Sequence, residues 1–124
     1  MLYTTYLYKL KTLSRDTIKL LIMRFQPKIN INNYNNLYSA KSLSPSQDLL
    51  LQYKKDNDWK NYTNNFINEM KNRKDMIASL IKIKNYLIAN NDLILICYEK
   101  DYLHCHRYLI AQYLQQFNIN WKEI

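Results

Sequence analysis

DLILICYEKDYLHCHRYLIAQYL, residues 92–114, decides the fold of this chain. Leu93–Cys97 is an apolar run of strand length, set between the polar Asn90-Asn91-Asp92 and Glu99-Lys100-Asp101. From Asp101, read as a helix cap, apolar residues recur at helical spacing to about Phe117. A strand that is apolar throughout is buried on both faces, as in a parallel sheet flanked by helices. Ligands of such sheets bind beyond the carboxyl ends of the strands, beside helix N-termini. Both cysteines, both histidines and Arg107, one of only four arginines, lie within the eleven residues 97–107 at that junction.

The remaining elements alternate in the same way. Leu2–Tyr8, rich in tyrosine and threonine, reads as a first strand, and Ile18–Met23, apolar but for Lys19, as a second. Phe25–Ser42 is asparagine-rich and has no clear period, so it reads as a long loop over the sheet's carboxyl end. Ser44-Pro45-Ser46 starts a helix running to about Lys55, with serine caps, proline in the first turn and Asp48 near the positive end of the dipole. Asp58 caps a second helix carrying Trp59, Tyr62, Phe66 and Met70 at helical spacing. Arg73–Ala89 forms a third, with Met76, Leu80, Ile83 and Leu87 on one face. Asn118–Lys122 reads as a final edge strand. The order predicts one domain over residues 1–124, a small three-layer α/β fold with a mostly parallel sheet flanked by helices.

Composition narrows the function. Glycine is absent, which excludes a phosphate-cradling P-loop and a GxGxxG dinucleotide fingerprint. A bound phosphate or carboxylate must then be held by helix N-terminal amides and side chains. Turns that need positive φ fall to asparagine, abundant at Asn32-Asn33, Asn35-Asn36 and Asn90-Asn91. The formal net charge of +8 favours polyanionic partners, although its lysine-rich origin is also what AT-rich codons produce. No apolar run is long enough to span a bilayer and no signal peptide is readable, so a cytoplasmic protein without a membrane partner is expected. Two cysteines in a reducing compartment read as thiols, ligands or a redox pair rather than a structural disulfide.

Cys105 and His106 fall in the first turns of the final helix, where free amides and the dipole favour anions and lower a thiol pKa. Cys97 ends the facing strand. In one reading a cysteine is the nucleophile, a histidine its base, and Arg107 clamps a phosphate or carboxylate. In another, Cys97 and Cys105 with a histidine ligate zinc. Neighbours on a helix project about 100° apart. That spacing argues against Cys105 and His106 sharing an ion, and no metal is assigned. In a third, Cys97 fills space, His106 bonds strand-end carbonyls, and Arg107 pairs with Glu99. His104 lies off the buried face. Arg24 and Lys28 follow the second strand and, with Arg107, offer cations for an anion pocket whose other wall includes Tyr38 and Ser46. Lys54-Lys55, Lys71-Arg73-Lys74 and Lys82-Lys84 read as solvated helix faces.

The pattern strand–Cys97–x–Glu99, then Cys105-His106-Arg107, resembles the signature of the DUF488 family of small prokaryotic and phage proteins. The opening LYTTYLYKL, LIMRFQP with Arg24 and Pro27, and LSPSQDLL resemble other parts of that family. One departure stands out: the acid of the family's Asp-Val-Arg motif is Ile22 here. The resemblance implies the fold and the site but no reaction. With the basic charge it leads to the expectation of a nucleotide-like or phosphorylated ligand, or a nucleic-acid end. Cys105, His106, Glu99 and Cys97 supply its chemistry, and Arg107, Arg24, Lys28, Ser46 and Tyr38 its contacts. The alternative is a nucleic-acid-binding or accessory protein without catalysis, in which the Cys-His-Arg motif is structural.

Overall fold

A computed structural model describes residues 1–124. Strands β1 (Leu2–Tyr6), β2 (Ile18–Leu21), β3 (Leu37–Ser39), β4 (Leu93–Cys97) and β5 (Trp121–Glu123) form one sheet in the order β3-β2-β4-β1-β5, and every pair is parallel. All five residues of the central β4 are buried. Its alternation splits the core in two. Leu93, Leu95 and Cys97 join the side chains of α1 (Gln47–Asp56), α2 (Trp59–Asn72), α3 (Lys74–Ile88) and α4 (His106–Gln115). Ile94 and Ile96 join a thinner layer closed by Leu10 of the 3-10 turn Leu7–Thr12, by Met23 and Leu37, and by the partly buried Ile29, Ile31 and Tyr34. The fold is a small three-layer α/β architecture. No helix in it is long and apolar enough to cross a membrane.

Several boundaries differ from the sequence reading. The first strand ends at Tyr6, opposite Cys97, because its partner β4 ends there. The stretch read as a structureless loop contains β3, which pairs Lys19↔Leu37 through Leu21↔Ser39. Three residues of which only Leu37 is buried carry no legible period. Pro45 lies before the first helix rather than in its first turn, since Ser46 is the cap and its hydroxyl accepts from the Leu49 amide (3.2 Å). Asp58 caps α2 as expected, accepting from the Asn61 amide (3.0 Å).

Asp101 does not cap the last helix. It caps a separate 3-10 turn, Tyr102–His104, and Cys105 then takes an extended conformation (φ −139, ψ 146) before α4 begins at His106. All four positive-φ residues are asparagines, namely Asn36, Asn57, Asn90 and Asn118. In a chain without glycine, asparagine is the residue that tolerates the left-handed region at least cost.

The topology places a crevice. From β2 the chain moves to β3 on one side, and from β4 it moves through α4 to β5 on the other. Connections leaving adjacent strands in opposite directions open a gap beyond their carboxyl ends. Here that gap lies between Ile22–Phe25, after β2, and Tyr98–Glu99, after β4.

Candidate functional site

The crevice holds a cleft of about 140 Å³. Met23, Arg24 and Phe25 line it from the end of β2, Tyr98 and Glu99 from the end of β4, and His104, Cys105 and His106 from the start of α4. Pro45, with Leu50, Tyr53 and Lys54 of α1 and Tyr62 of α2, closes the far wall. This volume suits one ring or one phosphate group and falls below the roughly 300–1,000 Å³ of pockets that enclose whole drug-sized ligands.

His106 is buried at the floor, with its ring 5.6 Å from that of Phe66. Its Nε2 lies 2.6 Å from the Ile22 carbonyl oxygen, so that nitrogen carries the proton and donates it. Nδ1 faces the sulfurs, 3.8 Å from the Sγ of Cys97 and 3.8 Å from that of Cys105; the Cys97 sulfur is also 3.5 Å from Nε2. Glu99 Oε2 lies 3.6 Å from the Cys105 sulfur. The cluster forms because Cys105 is extended. Outside the helix its side chain does not diverge from that of His106, and the expected separation of the two neighbours does not occur.

The two thiols differ electrostatically. Burial pushes the Cys97 thiol well up, reinforced by the neighbouring Cys105 sulfur. Burial opposes ionisation of Cys105 too, but a hydrogen bond from Cys97 and the charges of His106 and Arg107 outweigh it and hold Cys105 well below the ordinary thiol range. For His106, burial is overcome by the Cys105 thiolate and the imidazole is raised. The Glu99 carboxyl is raised by desolvation first and by Cys105 second. The arrangement can supply a thiolate, an imidazole and an acid of raised pKa within one small cleft.

A family model described as the active DUF488-N3 subclade (DUF488-N3a) matches residues 3–118. The chain belongs to the DUF488 family. No curated protein and no solved structure matches it.

In this DUF488 chain the motif arginine does not face the cleft. Arg107 is completely buried and holds Glu123 of β5 through two parallel hydrogen bonds, Nε–Oε1 and Nη2–Oε2, both 3.0 Å. It also donates to the Glu99 carbonyl (2.7 Å) and the Lys100 carbonyl (3.2 Å). The expected Glu99–Arg107 ion pair is therefore replaced by Arg107–Glu123, and Arg107 meets Glu99 only through the backbone. That leaves the Glu99 carboxyl free for the cleft. The geometry gives Arg107 a positioning role: it holds the backbone of the turn after β4, which carries Glu99.

Among the other DUF488 residues expected at the site, Arg24 lines the cleft. Its Nε donates to the Pro45 carbonyl (2.9 Å), leaving its terminal nitrogens for an anion. Lys28 is exposed and away from the lining. Ser46 is occupied as a cap and by Glu69, to whose Oε2 its hydroxyl donates (2.6 Å). Tyr38 lies on a different groove, between β3 and α3. His104, read as surface, is exposed and paired with Asp101 (2.7 Å), yet it borders the cleft and packs against Trp59. The aromatic wall was not read from the sequence at all. Tyr53 and Tyr62, 4.8 Å apart, sit on α1, legible in the sequence only by its capping residues, and on α2, whose spacing signals only core. Lys54, taken as a solvated charge, lies over the Phe25 ring at 5.6 Å.

Proposed function

We propose that this DUF488 protein is a Cys/His-dependent enzyme acting on a nucleotide-like or phosphorylated substrate, including a nucleic-acid end, that inserts one group into the cleft between β2 and β4. The observation that carries this reading is the convergence of Cys105, His106 and Glu99 on the floor of a cleft with aromatic walls and two cations at its rim. Phe25, Tyr53 and Tyr98 offer faces for a base, and Arg24 and Lys54 offer charge for a phosphate. Cys105 and His106 stand where a reacting group would sit, and Glu99 is placed to give or take a proton. The matched subclade is itself described as active.

Thermal shift and calorimetry with nucleoside monophosphates and short single-stranded oligonucleotides test the reading. Binding that weakens about tenfold or more in Arg24→Ala, at a charge-assisted contact of about 1.5–3 kcal/mol, supports it. Conversion of the bound compound should vanish in Cys105→Ser. If no phosphorylated compound shifts the melting temperature, the reading fails.

A second reading has its own observation: Arg107 and one nitrogen of His106 are spent on the fold. In that case the motif is structural and the +8 chain binds nucleic-acid backbone without catalysis. Affinity would then fall steeply with salt and be insensitive to Arg24→Ala and Cys105→Ser.

A further inference from the structure

Two buried thiols and an imidazole meet in one cluster, and their mutual contacts of 3.5–3.8 Å are long enough to admit a shared partner between them. Spacing is the first sign of one. His106 Nδ1 is 3.8 Å from each sulfur, and the Cys97, Cys105 and His106 ligand atoms all lie within 4.8 Å of one another. A tetrahedral ion with bonds of about 2.3 Å to sulfur and about 2.0 Å to nitrogen sets a sulfur and a nitrogen roughly 3.5 Å apart and two sulfurs roughly 3.8 Å apart, so the three atoms need draw in by no more than about 1 Å. Orientation is the second sign. A metal-binding histidine usually donates its other ring N–H to a carbonyl or carboxylate, and His106 donates Nε2–H to Ile22. The third is Glu99 Oε2, which stands 3.6 Å from the Cys105 sulfur at the same tetrahedral spacing and borders the cleft.

We propose that Cys97, Cys105 and His106 bind one zinc ion whose fourth position opens on the cleft, to Glu99 or to water. Thiolate and imidazole donors select zinc over magnesium or calcium, which take oxygen. In the bound state both sulfurs are thiolates and the imidazole is neutral, any proton they held leaves to solvent, and two thiolates cancel the charge of the ion, so the centre is neutral with water in the fourth position. Three protein ligands with an exchangeable fourth position is the arrangement of catalytic zinc, whereas structural sites are closed by four. The inference rests on the same cluster as the proposed function and names the task of its thiolates. Cys105 is then a ligand, and the acid–base group beside the substrate is an ion-bound water next to Glu99.

The full chain, reduced and stripped with a chelator, is titrated with cobalt(II) and then zinc, with no nucleotide present. One equivalent of cobalt should give thiolate-to-cobalt charge-transfer absorption and the intense visible bands of a tetrahedral site, both bleached by one equivalent of zinc. X-ray absorption on the zinc form should find two sulfurs at about 2.3 Å and nitrogen or oxygen at about 2.0 Å. Cys97→Ser should lose about half of the charge-transfer intensity, and Glu99→Gln should keep the stoichiometry. Folded wild-type protein that takes up neither metal, or binds cobalt with no sulfur signature, overturns the proposal. Failed metal uptake with nucleotide binding intact would remove the zinc site and leave the pocket. The reverse pattern would remove the nucleotide reading alone.

Discussion

The Nε2 atom of His106 lies 2.6 Å from the carbonyl oxygen of Ile22 and ties the first residue of α4 to the chain leaving β2. Both groups are buried. The bond closes the crevice from below and fixes the imidazole tautomer. Its loss should therefore be felt in stability as well as in chemistry. His106→Ala leaves the Ile22 carbonyl unpaired and opens a void beside Phe66, and is expected to destabilise by about 2–4 kcal/mol. Urea denaturation measures this. A change below half a kilocalorie would mean that the bond is not formed in solution.

The completely buried Arg107 and the partly buried Glu123 form a pair with parallel hydrogen bonds. Removing Glu123 strands a buried guanidinium, so Glu123→Ala should cost about 3–5 kcal/mol, and Arg107→Ala, which leaves a partly solvated carboxylate and a void, should also be clearly destabilising. The double variant should cost clearly less than the sum, because neither charge is then left alone. Arg107→Lys cannot make the fork and should fall close to the alanine variant. Additive costs in a double-mutant cycle would remove the pair as a stabilising unit.

Cys105 should alkylate before Cys97. Its thiol is held below the ordinary range and borders the cleft, whereas Cys97 is completely buried and pushed up. In reduced, metal-free protein, site-resolved mass spectrometry should find Cys105 modified at pH values below the free-thiol pKa of about 8.5. Cys97 should stay unmodified until the protein unfolds. Equal rates at the two sites would contradict the asymmetry.

Arg73 joins α2, α3 and the segment before α1. It bonds Glu69 (2.9 Å), Asp75 (2.7 Å) and the carbonyls of Ser42 and Ser44. The Arg73 hydrogen bond, working against partial burial, depresses the Asp75 carboxyl. A depressed folded-state pKa contributes stability above the unfolded value of about 3.9, and that contribution disappears as pH falls through the folded value. Asp75→Asn should thus lower the melting temperature slightly near neutrality, and the two proteins should converge in strong acid. Asp75 is largely exposed, so salt should shrink the difference. A difference that persists at the lowest pH would point away from this pair.

The aromatic wall can be tested without touching the floor. Tyr53 is half-buried at the edge of the cleft and packs on both Tyr62 and Trp59. Tyr53→Ala should weaken nucleotide binding by about 1–3 kcal/mol, as for other base–aromatic stacks. It should leave the reactivity of Cys105 nearly unchanged. Equal loss of both would make Tyr53 a support of the cluster instead of a ligand contact.

Local information in the chain was enough for much of this architecture. The apolar Leu93–Cys97 and the stretch Ile18–Met23, apolar but for Lys19 and realised as a strand over Ile18–Leu21, signalled a parallel sheet, and α2 and α3 followed from helical spacing and the Asp58 cap. The lack of glycine led to asparagine turns, realised at Asn36 and Asn90. The clustering of cysteine and histidine at the end of β4 located the site. Each of these is a property of neighbours within a few turns of chain, where periodicity and capping act.

Tertiary structure decided the partners. Arg107 chose Glu123, sixteen residues away on an edge strand, over the nearby Glu99. Tyr53 and Tyr62 became a cleft wall only because α1 and α2 pack beside the start of α4. β3 exists because β2 offers it an edge, although its own three residues carry no pattern. Cys105 and His106 converge because a 3-10 turn ahead of the helix leaves Cys105 extended. The physical reason is the same throughout. Periodicity and capping are settled within a few turns, whereas which buried charges and sulfurs meet depends on how separate elements share one interior.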